Sequence, residues 1–366
     1  MRVHVVDPPA YTPPYDHALC SALSSAGADV TLVTTRFPHG ATAREGGYEL
    51  DEAFYRWRPS PRIRRASRLA QHVPDMLRYR RKALTADLVH FQWLSVQQLD
   101  YRLLPRDVPV VLTAHDVLPR EPRPGQRAAQ RRLYERVDAV VVHTEHGRDR
   151  LVSEADVDSS KITVIPHGAF SHLTRETDPA PLPEDLAAVQ KPVVLLFGLM
   201  RPYKGIDVAL EAWRGLDDAE LWVVGMPLMD TEPLRAAAPP GVRFVERFVD
   251  DRELPAFFRR ADLVVLPYRE IDQSGVLFTA LAFGSPLLLS DVGGFREIAA
   301  QGAAALVPAG DAAALHSEIS RLLRDGRARG ALGERATELA AQRYGWDAIA
   351  SAHLALYRRL LSEHRR

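Results

Sequence analysis

The chain has 366 residues, of which 46% are hydrophobic and 26% charged, proportions that are typical of a globular protein. Lys and Arg together number 47, as do Asp and Glu, and this zero net charge argues against a general nucleic-acid-binding protein. The single cysteine, Cys20, excludes an intrachain disulfide framework and fits a reducing compartment. Because no apolar run is long enough to span a bilayer and the first residues lack a signal-peptide segment, we expect a cytoplasmic protein.

Short apolar runs alternate with amphipathic segments along the N-terminal half, which predicts a parallel sheet with helices on both faces. The predicted strands are Val3–Val6, Val30–Thr34, Leu88–Phe91, Val110–Thr113, Val137–His143 and Ile162–Ile165. The predicted helices are Asp16–Ala26, Ala66–Leu84, Gln126–Arg136 and Glu145–Glu154.

The proline-rich segment 178–183 interrupts this alternation and is predicted to be a linker, after which the pattern restarts. The second set of predicted strands is Val193–Phe197, Glu220–Val224, Val242–Val245, Leu263–Leu266, Pro286–Leu289 and Ala303–Val307. The second set of predicted helices is Val208–Trp213, Glu253–Arg260, Val276–Phe283, Leu315–Leu323 and Trp346–Leu361. We therefore predict an α/β protein with two Rossmann-like, doubly wound domains, residues 1–183 and 184–345, and a last helix at 346–366.

The segment Phe197–Gly205 follows a predicted buried strand and opens a helix. Gly198 allows the backbone to approach a ligand closely, and free N–H groups at the start of a helix attract anions. Arg201 and Lys204 place a planar cationic fork and a point charge where they can flank a diphosphate. Lysine is rare here, at four residues against 43 arginines, so a lysine in this turn stands out. A solvated loop with a turn at Gly205 is the alternative interpretation of this segment alone.

Two further loops of the C-terminal half carry glycine together with carboxylates or hydroxyls after a predicted strand. The first, Pro267–Gly275, opens a helix at Ser274-Gly275, which predicts a second preformed anion site. The second is Asp291–Glu297. A carboxylate in these loops could accept hydrogen bonds from sugar hydroxyls.

The order and spacing of these motifs resemble those of the retaining, GT-B-fold glycosyltransferases of family 4 across essentially the whole chain. The resemblance implies two domains that face each other across a cleft, with the segment Tyr344–Tyr357 crossing back onto the N-terminal domain. It implies a nucleotide-sugar as substrate and no cofactor or metal. The residues expected to bind this donor are Gly198, Arg201, Lys204, Asp272, Gln273, Ser274, Gly275, Val276 and Thr279.

In the N-terminal half, Thr113–Asp116 ends a predicted strand as the family's active-site histidine motif does, and Ile165–Gly168 matches the exit from its last N-domain strand. The resemblance implies that the histidine lies beside the donor sugar and the acceptor. Residues 7–16 stand where the family often has a Gly-Gly loop, and four prolines and two tyrosines suggest a shaped acceptor pocket, although a rigid surface loop explains them equally. The predicted acceptor site comprises Tyr11, Tyr15, Asp16, His115, Asp116 and His167.

The Glu-x7-Glu motif of the family is incomplete in this chain. Ile271 stands at the first Glu, between Glu270 and Asp272, and Thr279 stands at the second. The resemblance gives the second Glu the nucleotide ribose, so we expect other groups or a different pocket to recognise the ribose here. The role of the first Glu, which holds the transferred sugar, could pass to Glu270, to Asp272 or to backbone N–H groups of residues 273–275. A UDP- or GDP-sugar is the expected donor, and a dTDP-sugar is an open alternative.

We therefore predict metal-independent glycosyl transfer with retention, to a hydroxyl of a small-molecule, glycan or lipid-linked acceptor. Arg201 and Lys204 would stabilise the leaving diphosphate, Glu270 would hold the sugar, and His115 would orient it near the anomeric carbon. Two alternatives remain open, a sugar-nucleotide epimerase or hydrolase on the same fold and a catalytically silent nucleotide-binding subunit. The scarcity of paired Glu argues against the first, and the retained cations and histidine argue against the second.

Two weaker patterns remain. Arg56–Lys82 holds ten basic residues and one acidic residue, and Arg120–Arg136 is a second basic stretch. One interpretation is a weak peripheral contact with an anionic membrane or a phosphorylated lipid, and the other is a solvated face. His115 next to Asp116 resembles a metal pair, but no His or Cys cluster at metal-ligand spacing accompanies it.

Overall fold

The computed structural model of the protein describes residues 1–38, 46–57, 64–120, 122 and 124–364. The chain divides into two compact units, residues 1–168 together with the final helix, and residues 169–345. The predicted domain boundary at residue 183 is therefore wrong, because the proline-rich segment belongs to the second unit. There the Ala180 N–H donates to the Arg252 carbonyl at 2.8 Å, and the Arg252 guanidinium pairs with the Asp178 carboxylate.

The first unit contains, among the described residues, a parallel sheet of seven strands in the order β3-β2-β1-β4-β5-β6-β7. The strands are β1 (Arg2–Asp7), β2 (Asp29–Thr34), β3 (Glu49–Asp51), β4 (Leu88–Phe91), β5 (Val110–Thr113), β6 (Ala139–Val142) and β7 (Ile162–Val164). The helices of this part of the chain are α1 (Pro13–Ser25), α2 (Arg64–Lys82), α3 (Gln97–Leu103), α4 (Gln126–Arg136) and α5 (Glu145–Ala155). The sequence did not predict β3, because this edge strand is short and carries two carboxylates.

The second unit contains a parallel sheet of six strands in its described residues, in the order β10-β9-β8-β11-β12-β13. The strands are β8 (Val193–Phe197), β9 (Glu220–Val224), β10 (Val242–Val245), β11 (Leu263–Leu266), β12 (Leu287–Ser290) and β13 (Ala304–Val307). The helices are α6 (Ser171–Thr174), α7 (Glu184–Ala187), α8 (Ile206–Ala212), α9 (Glu232–Ala237), α10 (Leu254–Arg260), α11 (Gly275–Ala282), α12 (Phe295–Ala299), α13 (Ala312–Arg324) and α14 (Gly326–Gln342).

The parallel register brings the carboxyl ends of the central strands of each sheet to one edge. In the first unit, Val6 pairs with Phe91, Phe91 with Leu112, and Leu112 with Val140. Residues that follow β1, β4, β5 and β6 therefore lie side by side. The loops after β8, β11 and β12 meet in the same way in the second unit, and edges of this kind are where doubly wound sheets bind ligands.

The final helix, α15 (Trp346–His364), belongs to the first unit and packs on α1. Its Tyr357 hydroxyl lies 2.6 Å from His90 Nδ1 at the heart of the first sheet. The Trp346 ring covers Gly168 so closely that a Cβ there would lie 2.3 Å from it. Of the helices in the described chain, none is both long and apolar enough to cross a membrane.

Candidate active site

The loop after β8 brings a glycine against a lysine. Gly198 has φ +108°, and a Cβ at this position would lie 2.7 Å from Lys204 Nζ and 2.9 Å from Val276 Cγ2. Only glycine leaves this space open. The backbone at Gly198 is thus flanked by an ammonium on one side and by the first turn of α11 on the other.

The backbone of this loop fixes the position of Lys204. The residue ends a short 3₁₀ turn, Pro202–Lys204, and Gly205 then takes φ +66° with no room for a Cβ, which would lie 2.0 Å from the Pro267 carbonyl oxygen. The Lys204 side chain is buried, and its Nζ lies over the Tyr268 ring, 5.1 Å from the centroid. A cation on an aromatic face keeps part of the stabilisation that water would provide.

Arg201 differs from the other arginines around it. Arg269 holds Asp207 with two hydrogen bonds of 2.8 and 2.6 Å, and Arg296 Nε contacts Asp291 at 2.5 Å. The half-buried Arg201 guanidinium forms no hydrogen bond or ion pair with any other residue in the described part of the chain. A guanidinium in this position can donate a pair of parallel hydrogen bonds to an anionic ligand.

The first turn of α11 supplies backbone donors, though not all those expected. The Ser274 N–H donates to the side-chain Oε1 of Gln273 at 2.8 Å, so this group is already satisfied within the loop. Binding of a ligand by the Ser274 N–H would require Gln273 to release it, and the expected role of Ser274 stays a prediction. The N–H groups of Gly275 and Val276 open the helix and have no intrahelical acceptor, as in any first helical turn. Binding of an anion by these two N–H groups stays a prediction.

The incomplete Glu-x7-Glu positions occupy different environments. Ile271 packs in the core, Asp272 beside it is buried, and Glu270 is exposed to solvent. The buried Thr279 side chain donates from Oγ1 to the Gly275 carbonyl at 3.1 Å. Its hydroxyl proton is thus used inside the helix, and only its lone pairs remain for a ligand.

The loop Asp291–Glu297 packs directly against the loop after β11. Gly293 has φ +46°, and a Cβ there would lie 1.7 Å from the Ile271 carbonyl oxygen. Phe295, the first residue of α12, packs its ring 5.4 Å from that of Tyr268. The loops after β8, β11 and β12 therefore share contacts around Tyr268.

In the first unit, His115 lies in the loop after β5, two residues beyond the strand end. Its Nε2 lies 3.1 Å from Gln92 Oε1, and its Nδ1 lies 3.1 Å from His143 Nε2. The Trp93 ring stacks on it at 5.0 Å with an interplanar angle of 11°. Burial, and then the neighbouring imidazoles, lower the pKa of His115 well below its ordinary value.

Two of the predicted acceptor-binding residues, Tyr15 and Asp16, lie in the interior of the first unit, and their contact with an acceptor stays a prediction. Both lie in the first turns of α1, which begins at Pro13, and both are buried. The Tyr15 ring packs between His115, at 4.9 Å, and Trp346, at 5.3 Å. The helix begins at Pro13, three residues before its predicted start at Asp16, because proline is favoured in a first helical turn, whereas the sequence pattern suggested a stiff loop up to that point.

The buried Asp16 carboxyl lies next to the buried carboxyl of Asp7, and the two can share a hydrogen bond only when one of them is protonated. The buried Oδ1 atoms of both residues have no hydrogen-bond partner in the described chain, whereas Asp7 Oδ2 accepts from the Tyr11 N–H at 2.7 Å and the Thr12 N–H at 3.3 Å. Burial raises the pKa of Asp7 to about 6, and burial and then the neighbouring carboxyl raise that of Asp16 well above its ordinary value. The pair therefore orders the loop between β1 and α1.

The other predicted acceptor residues have distinct surroundings. Tyr11 is exposed, with its ring 4.6 Å from that of Trp93. Asp116 forms an ion pair of 2.7 Å with Arg120. His167 is buried, with Nδ1 2.8 Å from the Gly168 carbonyl oxygen, and its contact with an acceptor stays a prediction.

Sequence reasoning missed three residues that contact His115. Gln92 and Trp93 follow β4, and His143 follows β6, so each stands at a strand end next to that of His115. The sequence does show that these residues stand at or directly after the ends of predicted strands, and adjacent parallel strands bring such residues together. The order of strands in the sheet was the missing information.

The structure describes the surroundings of the possible metal pair and of part of the two basic stretches. No group of three or more His, Cys, Asp or Glu side chains in the described residues is arranged to hold a metal ion. In the two basic stretches, Arg58, Arg62 and Arg123 lie outside the described residues. Within α2, Arg78 pairs with Asp75 and Lys82 pairs with Asp51.

Comparison with known proteins connects both halves to one enzyme family. Residues 15–169 match Glycosyltransferase Family 4, and residues 191–325 match Glycosyl transferases group 1. The D-inositol 3-phosphate glycosyltransferase of Xylanimonas cellulosilytica is 31% identical over 304 residues, 74% of this chain and 71% of the relative. This chain belongs to glycosyltransferase family 4.

A further relative and two solved structures are also similar to this chain. The phosphatidyl-myo-inositol mannosyltransferase of Mycobacterium leprae is 36% identical over 176 residues, 46% of each chain. Sucrose-phosphate synthase from Thermosynechococcus elongatus superposes with a TM-score of 0.78 at 21% identity, over 99% of this chain and 100% of the other. Anabaena HepE in complex with UDP-glucose gives 0.75 at 18% identity, over 97% of this chain and 99% of the other. The family 4 glycosyltransferase described here thus has the GT-B fold.

Proposed function

We propose that this glycosyltransferase moves a sugar, with retention and without a metal ion, from a nucleoside diphosphate sugar to an acceptor hydroxyl. The cationic site of the second unit carries the proposal. The Arg201 guanidinium has no described partner, the Lys204 ammonium lies beside Gly198, and the Gly275 and Val276 N–H groups open α11. A guanidinium, an ammonium and backbone N–H groups in combination suit the binding of a diphosphate.

The same groups would supply the main catalytic effect. In the proposed reaction, the bond between the anomeric carbon and the diphosphate oxygen breaks and the acceptor oxygen bonds to that carbon on the same face. The acceptor proton passes to the leaving phosphate oxygen. Negative charge grows on the diphosphate as the bond breaks, and Arg201 and Lys204 stabilise it by preorganised electrostatics.

The proposed acceptor is a hydroxyl of a cyclitol or sugar ring. Two relatives are named for acceptors of this kind, an inositol 3-phosphate and a phosphatidyl-myo-inositol. In the first unit, the exposed Tyr11 ring and the Trp93 ring lie 4.6 Å apart, and Trp93 stacks on His115. Aromatic faces of this kind suit the C–H face of a six-membered polyol ring, and His115 would then meet a ring hydroxyl.

Matched UDP-, GDP-, ADP- and dTDP-sugars provide the test. We expect one nucleotide class to raise the melting temperature and to be hydrolysed slowly without acceptor. That donor is then incubated with candidate acceptors, namely D-myo-inositol 3-phosphate, phosphatidylinositol and simple glycosides. The anomeric coupling constant of the product is compared with that of the donor. An inverted product, or no binding of any nucleotide-sugar, would contradict the proposal.

A further inference from the structure

His143 is a buried side chain that no sequence motif singled out and that lies against His115. It directly follows β6, and its ring centroid is 5.0 Å from that of His115. Its Nδ1 lies 2.9 Å from the Ile165 carbonyl oxygen, and its Nε2 lies 3.1 Å from His115 Nδ1. The two imidazoles and the carbonyl therefore form a short chain of hydrogen bonds.

The Ile165 carbonyl oxygen determines which atom is the donor in each of these hydrogen bonds. A carbonyl oxygen only accepts, so His143 carries its proton on Nδ1 and donates it to Ile165. Burial lowers the pKa of His143 to about 4, so at neutral pH the ring has no second proton. The His143 Nε2 atom is then an acceptor. His115 must donate to it, which places the single proton of a neutral His115 on Nδ1.

Gln92 supports the same conclusion from the opposite side of His115. With the proton on Nδ1, His115 Nε2 is an acceptor, yet the atom 3.1 Å away is Gln92 Oε1, which is also an acceptor. At the same time Gln92 Nε2 is buried with no partner in the described chain. The two ends of a glutamine amide have nearly the same shape, and hydrogen bonding decides which is which. Exchanging them lets the Gln92 amide donate to His115 Nε2 and satisfies both groups.

We propose that His143 is a positioning residue that fixes His115 in the Nδ1–H tautomer, so that His115 presents Nε2 to the substrate as a hydrogen-bond acceptor. The role of His115 in transfer rests on the proposed function, whereas the tautomer rests on the hydrogen-bond geometry and on the burial that keeps both rings neutral. A hydroxyl of the donor sugar or the acceptor would donate to the single lone pair of Nε2, in place of the Gln92 amide. The opposite tautomer would present an N–H and repel the hydroxyl proton.

The tautomer is measured directly on the full chain without ligand, from the ¹⁵N shifts and long-range ¹H–¹⁵N correlations of histidine at neutral pH. We expect the Nδ1–H pattern for His115 in the wild type. In His143→Ala, His115 should change to the Nε2–H form, which donates to Gln92 Oε1. His364→Ala removes an exposed histidine at the end of α15 and should leave the pattern unchanged. An unchanged His115 pattern in His143→Ala would overturn the proposal.

Two conservative variants separate positioning from packing. In His143→Gln, the amide oxygen can still accept from His115 Nδ1, whereas His143→Asn keeps a donor for Ile165 but is too short to reach His115. We expect kcat to fall about tenfold or more in the Ala and Asn variants at unchanged donor KM, and Gln to restore most of it. Equal loss in Asn and Gln would overturn the proposal in favour of packing. A changed tautomer with unchanged transfer would instead overturn the assignment of His115 to the reaction.

Discussion

The Lys204 ammonium lies on the face of Tyr268, 5.1 Å from the ring centroid, inside the loop cluster of the second unit. Burying an ammonium costs free energy unless nearby groups compensate for lost water. The aromatic face compensates for part of it, and a bound diphosphate would add the opposite charge. The lysine is therefore held in place before any anion arrives, which is the arrangement that electrostatic catalysis requires.

The first prediction concerns these cations. Lys204→Ala and Arg201→Ala should each lower kcat/KM for the donor by at least about tenfold, which is ~1.4 kcal/mol of lost transition-state stabilisation. Steady-state kinetics with the donor selected above measures the effect. Lys191→Ala is the matched control, because that exposed lysine of the second unit donates to the Asp217 carbonyl. Wild-type kinetics in both Arg201→Ala and Lys204→Ala would rule out the diphosphate assignment.

The strands were predicted well because parallel strands buried on both faces read as continuous apolar runs. Val193–Phe197, Glu220–Val224 and Leu263–Leu266 match their predicted bounds. The charged edge strand Glu49–Asp51 gave no such signal. The domain boundary was misplaced because prolines are common in linkers, whereas hydrogen bonds anchor residues 169–183 in the second unit.

The candidate site was harder to predict from the sequence than the strands were. Arg201 and Lys204 could be recognised because glycine and cations stand at fixed offsets after a strand. The burial of Asp16 could not, since it depends on contact with Asp7 across the start of a helix. The contact of His143 with His115 could not be predicted either, because it depends on which strands are neighbours in the sheet. The role of a residue whose partners come from distant segments can be predicted only when the fold is known.

The second prediction concerns ribose recognition. Thr279 Oγ1 donates to the Gly275 carbonyl, so its hydroxyl cannot also donate to a ribose. We expect weak discrimination between matched UDP- and 2′-deoxy-UDP-sugars, because rejection of a deoxy ligand requires a site group that is left unpaired. Thr279→Glu should increase the preference for the ribo form, and Thr279→Val, which only removes the hydroxyl, should not. A strong preference in the wild type, unchanged in Thr279→Glu, would place ribose recognition elsewhere.

The third prediction concerns metal ions. The described residues hold no cluster of ligands for one, and the proposed site stabilises the diphosphate with Arg201 and Lys204 instead. Initial rates of transfer should therefore be unchanged by excess EDTA and by added Mn²⁺ or Mg²⁺. Loss of activity in EDTA that Mn²⁺ restores would contradict metal independence.

The fourth prediction concerns the outer face of α2 and its C-terminal extension. Leu69, Leu77 and Leu84 are exposed there, and Arg81 is exposed beside them. Apolar side chains flanked by arginine suit the surface of an anionic bilayer. We expect flotation with vesicles that contain anionic lipid, and less binding as salt rises, since screening acts over about 10 Å at 0.1 M ionic strength.

Variants of this face make the vesicle measurement specific. Leu77→Asn and Arg81→Glu should each weaken binding to anionic vesicles, the first through lost apolar burial and the second through repulsion. Leu228→Asn, at an exposed leucine of the second unit, is the control and should bind as the wild type does. Equal flotation with neutral and anionic vesicles would support a solvated face instead.

The fifth prediction concerns the buried carboxyl pair of Asp7 and Asp16. Both pKa values are raised in the folded protein, to about 6 for Asp7 and well above the ordinary value for Asp16. The folded state therefore binds more protons than the unfolded state at pH values above about 4. Stability should be highest in the acidic part of this window and should fall as pH rises through the folded pKa values. Chemical denaturation at pH 5 and pH 8 measures this difference.

Asp16→Asn tests the cause of that pH dependence. An asparagine amide can donate to Asp7 Oδ1 without a titrating proton, so the variant should keep the ordered loop and lose less stability between pH 5 and pH 8 than the wild type. Asp107→Asn, at an exposed carboxylate of the same unit, should leave the pH dependence unchanged. The unfolding midpoint in urea is the readout for all three proteins. If Asp16→Asn and the wild type lose equal stability over this range, the carboxyl pair does not share the proton that its burial requires.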